Sequence, residues 1–329
     1  MNDRTSRTAL YLIIAVVALG APLVVPALRT QISFLWVMIV FALSWDILGG
    51  QMGYNSFGNI LFFGIGMYTC AVIQQHAGLP YFPALFVGMV AGGLMSVVVA
   101  AVLGWGILGL RGHYFAIGTL GLGIAAAEYA AGWDYIGAGS GLVTPLYPGE
   151  VGGRESFFYY LSFGVAVFTF FLLRALYSGR FRLAINAIRD DEDKAEAMGI
   201  RTTLHKTVAW CIAALTLGLI GGVTGNIIGF IDPRDVAFAS ASYGVWMLLM
   251  AILGGKGTLW GPVIGAVVFH TVQELFWTYL LGWQRVALGV MVVIIVIFFP
   301  MGIAGWARER WPERFGHRVE ETPRAGTEQ

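Results

Sequence analysis

Charge is scarce in this sequence. Asp, Glu, Lys and Arg together make up 12% of the 329 residues, where an ordinary soluble domain carries roughly 25%. With 57% hydrophobic residues, too little polar surface is left to face water, which excludes a soluble globule. The same apolar content excludes a disordered chain. Cysteine is scarce as well. Cys70 and Cys211 stand apart inside apolar segments, which argues against a disulfide framework or thiolate metal site and reads as two reduced packing residues. A net charge of +1 offers no footprint for nucleic acid. Motifs of catalysis are missing too: there is no H-E-x-x-H, G-x-S-x-G, C-x-x-C or EF-hand loop. His76, His113, His205, His270 and His317 are scattered and form no ligand set. No catalytic residue and no metal site is therefore assigned. Gly254-Gly255-Lys256-Gly257-Thr258 is not a phosphate-binding loop, because Gly257 follows the lysine and Met250 occupies the place of the first glycine. No nucleotide or other cofactor is expected in this chain.

What the sequence has instead is long apolar runs and a mean hydropathy of +0.74. About 20 apolar residues cross the hydrocarbon core as a helix. The runs predict an all-α polytopic membrane protein of about ten transmembrane helices, at 8–28, 32–49, 57–76, 81–104, 112–132, 157–177, 207–231, 240–254, 258–280 and 284–304. The run beginning at Ala9 follows Arg4 and Arg7 like a signal peptide, but it is long and soon followed by another, so it reads as an uncleaved span. Segment 240–254 is short, and either starts nearer Val236 or is re-entrant. Residues 1–305 form the membrane domain and 306–329 a charged tail. On this topology all the Lys and Arg residues except Arg29, Arg154, Arg234 and Arg285 fall on the side of the N-terminus. The positive-inside bias then puts both termini and the loop 178–206 in the cytoplasm, and the loop 133–156 outside.

Glycine is abundant, at 45 residues. Pairs such as Gly88/Gly92 and Gly218/Gly222 suit close helix packing. Glycines around 49–66 and 254–265 could instead break spans near a translocation path. Ile47-Leu48-Gly49-Gly50 recurs as Ile252-Leu253-Gly254-Gly255, a hint of two parallel halves. Asn186 to Arg201 reads NAIRDDEDKAEAMGIR. Acids at a helix start, small and apolar residues, and Gly199 as a stop predict one short helix over 187–200, lying along the membrane. It reads either as a solvated linker or as a helix offered to a groove on another protein.

Ala195-Glu196-Ala197-Met198-Gly199-Ile200 resembles the E-A-A-x-x-x-G loop of ABC importer permeases, in the variant of the branched-chain amino-acid permeases (the LivM/LivH family). Further stretches resemble that family: Leu48 to Gly66, with Gly53, Ser56, Phe57, Gly58, Phe62 and Gly64; Leu110 to Leu120; Arg180 to Asp190; Gly229 to Pro233; Leu253 to Ala266; and Phe299 to Ile303. The Leu110-Arg111-Gly112-His113-Tyr114-Phe115 block favours the LivM type. Asp46, and Gly137 to Gly141, depart from the usual pattern. The resemblance implies an ABC importer permease-like bundle in a bacterial inner membrane. It implies ABC ATPase subunits that bind the ATP, a second permease (a LivH-like paralogue) and an extracytoplasmic solute-binding protein as partners, and branched-chain or related amino acids as solute. Urea and short amides are the alternative solutes, and an ion-coupled secondary transporter is the alternative mechanism. The coupling residues would be Arg189, Asp190, Glu192, Ala195, Glu196, Ala197, Met198 and Gly199. Asn55, Ser56, Phe57, Tyr114, Thr119 and Glu128 are candidates for the translocation path. Acids within apolar spans are functional candidates by default, which singles out Asp46, Glu128 and Glu274. Asp134, Glu150 and Glu155 are candidates for receiving the binding protein.

Overall fold

The computed structural model describes residues 3–280 and isolated positions between 282 and 305. The last expected span is described only at single positions, and the tail 306–329 lies outside the described residues. Eleven helices form within that range: α1 (Asp3–Val24), α2 (Arg29–Gly49), α3 (Ile60–His76), α4 (Tyr81–Ile107), α5 (Gly112–Ala131), α6 (Val151–Tyr177), α7 (Arg180–Asp190), α8 (Glu192–Ala197), α9 (Thr202–Ile228), α10 (Val245–Gly254) and α11 (Gly261–Tyr279). Each of the first nine expected spans coincides with one of them. Among the described residues, six stretches are long and apolar enough to cross a membrane: Pro26–Gly49, Tyr81–Ile107, Gly112–Ala131, Val151–Tyr177, Thr202–Ile228 and Pro233–Gly254. The short span resolves accordingly. Two wide helical turns, Pro233–Ala237 and Ser240–Gly244, precede α10, and the Asp232 carboxylate caps the first by accepting from the amides of Arg234 (2.8 Å) and Asp235 (2.7 Å).

The bundle centre is α3 packed against α4 and α9. Glycine makes this possible. At Gly66 of α3, a Cβ would collide with the Gly218 carbonyl of α9, and at Gly218 it would lie 2.7 Å from the Gly92 carbonyl of α4. Three backbones meet there, and close approach of that kind is the main source of helix association in lipid. Helix α2 is buried along its length from Val37 to Gly49, between α6, α9, α10 and α11. By contrast, α4 leaves Val87, Val90, Leu94, Val98 and Val102 exposed on one side. Such a face is untenable in water and ordinary against hydrocarbon. Cys70 and Cys211 are unpaired with each other; Cys70 is buried beside Gln74 and Asn226, and Cys211 is only half-buried, where both are expected to be buried packing residues.

Long-range contacts sort the connections into two groups at opposite ends. At one, here the loop end, segment 50–59, the α4–α5 turn, α7 and α8, and segment 255–260 come together: Tyr54 meets Glu192, Lys206 meets the Leu108 carbonyl, and the Gly257 amide meets Asp46. Tyr11 stacks on Trp260, and Gly302 lies against Gly255, so both belong to this end. The two Ile-Leu-Gly-Gly copies also finish here, side by side. At the far end, segment 132–150 folds over the bundle. An element outside the all-helical expectation lies there: a two-residue antiparallel ribbon, β1 (Leu142–Val143) with β2 (Phe230–Ile231). It satisfies backbone groups that the α9–α10 connection would otherwise leave unpaired.

Candidate functional site

The loop 178–201 is two helices, where the sequence suggested one over 187–200. Asp190 ends α7. Asp191 then turns extended (φ −165°) and caps α8, its carboxylate accepting from the Lys194 amide at 3.0 Å. A run of four acids can start a helix at more than one place, and the residue that caps it decides the break. Lys194 also bridges to Asp191 at 2.9 Å, and these bonds hold the Asp191 carboxyl below its ordinary value.

The expected coupling residues divide by burial. Arg189, Asp190, Glu196, Ala197, Met198 and Gly199 are exposed. Met198 is 71% exposed, and Gly199, at φ +86°, stops the helix in the left-handed conformation. Ala195 is 1% exposed and faces the chain's own core, so the small-residue side of α8 is used internally. Glu192 is also turned inward, with its side chain 12% exposed.

Glu192 is the centre of a cluster that sequence reasoning missed. Its Oε1 lies 2.7 Å from Nζ of Lys206, in the first turns of α9, and the lysine side chain is 3% exposed. The Lys206 ammonium also donates to the Leu108 carbonyl at 2.7 Å and to the Tyr54 hydroxyl at 3.2 Å. Tyr54 in turn donates to Glu192 Oε2. Arg111 closes the ring from outside, 3.5 Å from Glu192 and 2.8 Å from Asp193. Burial alone would raise the Glu192 carboxyl. The hydrogen bonds from Lys206 and Tyr54 and the charges of Lys206 and Arg111 outweigh it and hold the group below its ordinary value. For the same reasons of burial and the adjacent carboxylate, the Tyr54 hydroxyl is raised and stays protonated. A buried ion pair with its remaining protons and lone pairs satisfied holds a fixed geometry. Here it pins α8 to α9, to segment 50–59 and to the start of α5. The α7 end is seated separately: Gly53, at φ +79°, lets the backbone pass so close to Arg189 that a Cβ would lie 3.2 Å from its Cγ.

The candidate path residues are not brought together as one lining. Thr119 is fully buried, and its hydroxyl accepts from the Phe57 amide at 3.1 Å while donating within α5. Ser56 is buried, and its carbonyl accepts from the Trp45 indole at 2.8 Å. Thr119 therefore serves the seam between α5 and segment 53–59, while the Ser56 carbonyl ties that segment to α2 and the buried Ser56 hydroxyl has no hydrogen-bond partner. Asn55 is exposed, and Tyr114 is 78% exposed. Helix α5 buries Phe115, Thr119, Gly123 and Ala127 along one stripe and exposes Tyr114, Ile117, Gly121, Ile124 and Glu128 on the other. Glu128 forms a two-point pair with Arg234, at 2.9 and 2.7 Å. Asp46 accepts at 2.7 Å from the amide of Gly257, the residue next to Lys256, and joins the two Ile-Leu-Gly-Gly segments. An apolar cavity of 460 Å³ lies between α3, α4 and α5 toward the far end, and none of the expected path residues lines it. Of the far-end acids, Asp134 and Glu150 are exposed and Glu155 is half-buried. Among the described residues, no group of three His, Cys, Asp or Glu could hold a metal ion.

Comparison with known proteins bears on this arrangement. The sequence model of the family described as "Branched-chain amino acid transport system / permease component" matches residues 29–299. The high-affinity branched-chain amino acid transport system permease protein LivM of Escherichia coli (strain K12) is 25% identical over 342 residues, covering 94% of this chain and 77% of the relative. The corresponding LivH protein of Salmonella typhimurium is 23% identical over 285 residues, covering 81% of this chain and 90% of its own. No solved structure matches. With the family match running from the first residue of α2 to the far side of α11, the chain belongs to the family of branched-chain amino acid transport system permease components.

Proposed function

We propose that this chain is the transmembrane permease subunit of an ATP-driven importer for branched-chain or related amino acids, worked by a separate ATPase that docks on α7 and α8. The observation that carries the reading is the Glu192–Lys206–Tyr54 cluster. It ties α8 to the bundle, while Glu196, Met198 and Gly199 stay exposed to a partner. The loop end holds Arg111, Arg180, Arg182, Arg189, Lys194, Arg201 and Lys256 and is the cytoplasmic end by the positive-inside bias.

Closure of the ATPase on ATP displaces α7 and α8. Through Lys206 the displacement reaches α9, and through Tyr54 and Arg111 it reaches the starts of α3 and α5. Because α9 is packed backbone to backbone on α3 and α4, these helices move as a unit. The exposed face of α5, with Tyr114, Ile117 and Glu128, faces a second, similar permease, and the path opens alternately to each side between the two. A binding protein delivers the solute at the far end, over Asp134, Glu150 and Glu155. Bulk and charge at the exposed tip test the docking. Glu196→Arg and Gly199→Arg are expected to abolish co-purification of the ATPase and solute uptake while leaving the chain folded in the membrane. Undiminished co-purification and uptake would refute it. Binding of leucine, isoleucine and valine by the cognate soluble receptor, against urea and short amides, decides the solute class.

A further inference from the structure

Two cavities meet at the loop end of α6, away from the coupling cluster. The first is a polar pocket of 210 Å³ lined by Gln51, Arg174, Tyr177, Ser178, Arg182 and Leu259. Its polar groups are unusually unspent. Gln51 is 1% exposed with its amide N–H turned toward the Asp46 carboxylate, while its Oε1 and the buried Tyr177 hydroxyl have no hydrogen-bond partner. A buried polar group left in this state is costly unless something binds it. The nearby Asp46 is engaged by the Gly257 amide and leaves the Tyr177 hydroxyl unanswered. The second is an apolar groove of 430 Å³ between α1, α2, α6 and α11, walled by Tyr11, Trp36, Phe163, Phe170 and Trp260. From Phe163 to Phe171 it runs about 12 Å along α6, at a rise of 1.5 Å per residue. The two are contiguous. The Arg174 guanidinium lies 5.0 Å over the Tyr11 ring of the groove, and Leu259 of the pocket is followed by Trp260 of the groove.

We propose that this pair of cavities is a binding site for one anionic phospholipid, with its phosphate between Arg174 and Arg182 and an acyl chain in the groove. Two guanidiniums and a phenol supply donors suited to phosphate and glycerol oxygens. The groove is too apolar for a hydrated solute and lies one helical turn deeper in the membrane than the pocket. Basic pockets at the cytoplasmic ends of spans bind acidic headgroups. Assignment to the cytoplasmic leaflet rests on the orientation proposed above; the site itself does not. A lipid wedged between α1 and α6 would also hold α1 on a bundle that it otherwise touches sparingly.

Native mass spectrometry of the full chain in micelles tests this without reference to transport. The probes are palmitoyl-oleoyl phosphatidylglycerol, the phosphatidylcholine with the same chains, and glycerophosphate. Phosphatidylglycerol should stay bound where phosphatidylcholine is stripped. Arg174→Gln with Arg182→Gln should weaken its retention about thirtyfold, Val167→Trp should block it by filling the groove, and glycerophosphate should fail to compete. Equal retention of the two lipids by the unaltered chain would overturn the proposal, and so would undiminished retention by the folded arginine variant. Displacement of the lipid by glycerophosphate would leave an anion pocket without a lipid, and would overturn it too. If the variants do not fold, the comparison of the two lipids on the unaltered chain decides.

Discussion

Lys206→Met is the most informative single change. The lysine side chain is 3% exposed and makes three close contacts: Glu192 at 2.7 Å, the Leu108 carbonyl at 2.7 Å and the Tyr54 hydroxyl at 3.2 Å. Methionine fills similar space, so the loss is electrostatic. Removing one partner of a buried pair costs about 3–5 kcal/mol, because the other charge is left uncompensated. Glu192 keeps Tyr54, and Arg111 remains at 3.5 Å with half its side chain in solvent, so the expected cost is near the lower figure, about 3 kcal/mol. Removing both charges, in Lys206→Met with Glu192→Leu, leaves no stranded ion and is expected to recover most of that loss. Uptake is expected to stay low in the double variant, since α8 is then no longer pinned to α9. The assay is a double-mutant cycle on thermal unfolding of the purified chain, with ATP-driven uptake by the assembled transporter measured beside it. Additive losses, with a coupling under about 0.5 kcal/mol, would refute the electrostatic reasoning. Full uptake in the double variant would refute the transmission.

Four further outcomes follow from the same contacts. A carboxyl held below its ordinary value stabilises the fold above that value and ceases to do so as pH falls through the folded one. Hydrogen-exchange protection of α8, corrected for intrinsic rates, should therefore be steady above pH 4.5, the ordinary value for Glu192, and collapse below it; the Lys206→Met chain should show a weaker dependence. Thr119→Val strands the Phe57 amide and is expected to lower stability by about 1–2 kcal/mol, measured by thermal unfolding. Gly66→Leu drives a side chain into the Gly218 carbonyl, where neither backbone can yield. It is expected to cost about 3 kcal/mol or more and to abolish recovery of folded protein in a detergent extraction assay. Glu128→Gln alters an exposed pair and is expected to leave the melting temperature unchanged while reducing uptake, if the exposed face of α5 lines the path.

Much of this fold is legible along the chain because the bilayer enforces it. Nine apolar runs became nine helices, and the 240–254 run, too short alone, gained its length from irregular turns starting at Pro233. The glycine pairs signalled backbone contact, which Gly66, Gly92 and Gly218 make. Side-chain partners were less legible. Glu192 and Tyr54 are 138 residues apart, and Lys206 and Leu108 are 98 apart, the latter joined through a carbonyl that every residue has. Asp46 gives no sign along the chain of its bond to the Gly257 amide, 211 residues away. Thr119 looks like a hydrogen-bonding group for a passing solute, but its hydroxyl accepts from the Phe57 amide and donates within α5, whereas the buried Ser56 hydroxyl is left without a partner. Met198 and Ala195 belong to one motif and face opposite ways, because the break at Asp191 sets the rotation of α8. The unspent Gln51 Oε1 and Tyr177 hydroxyl left no trace in the sequence, since only the packing shows that nothing answers them.

Reconstitution into liposomes tests the coupling most directly. Assembled with the proposed ATPase, second permease and binding protein, the chain should accumulate solute only when ATP is supplied, and substitution at Glu196 or Gly199 should end that accumulation. Accumulation by this chain alone, with no nucleotide-consuming partner in the vesicle, would contradict it.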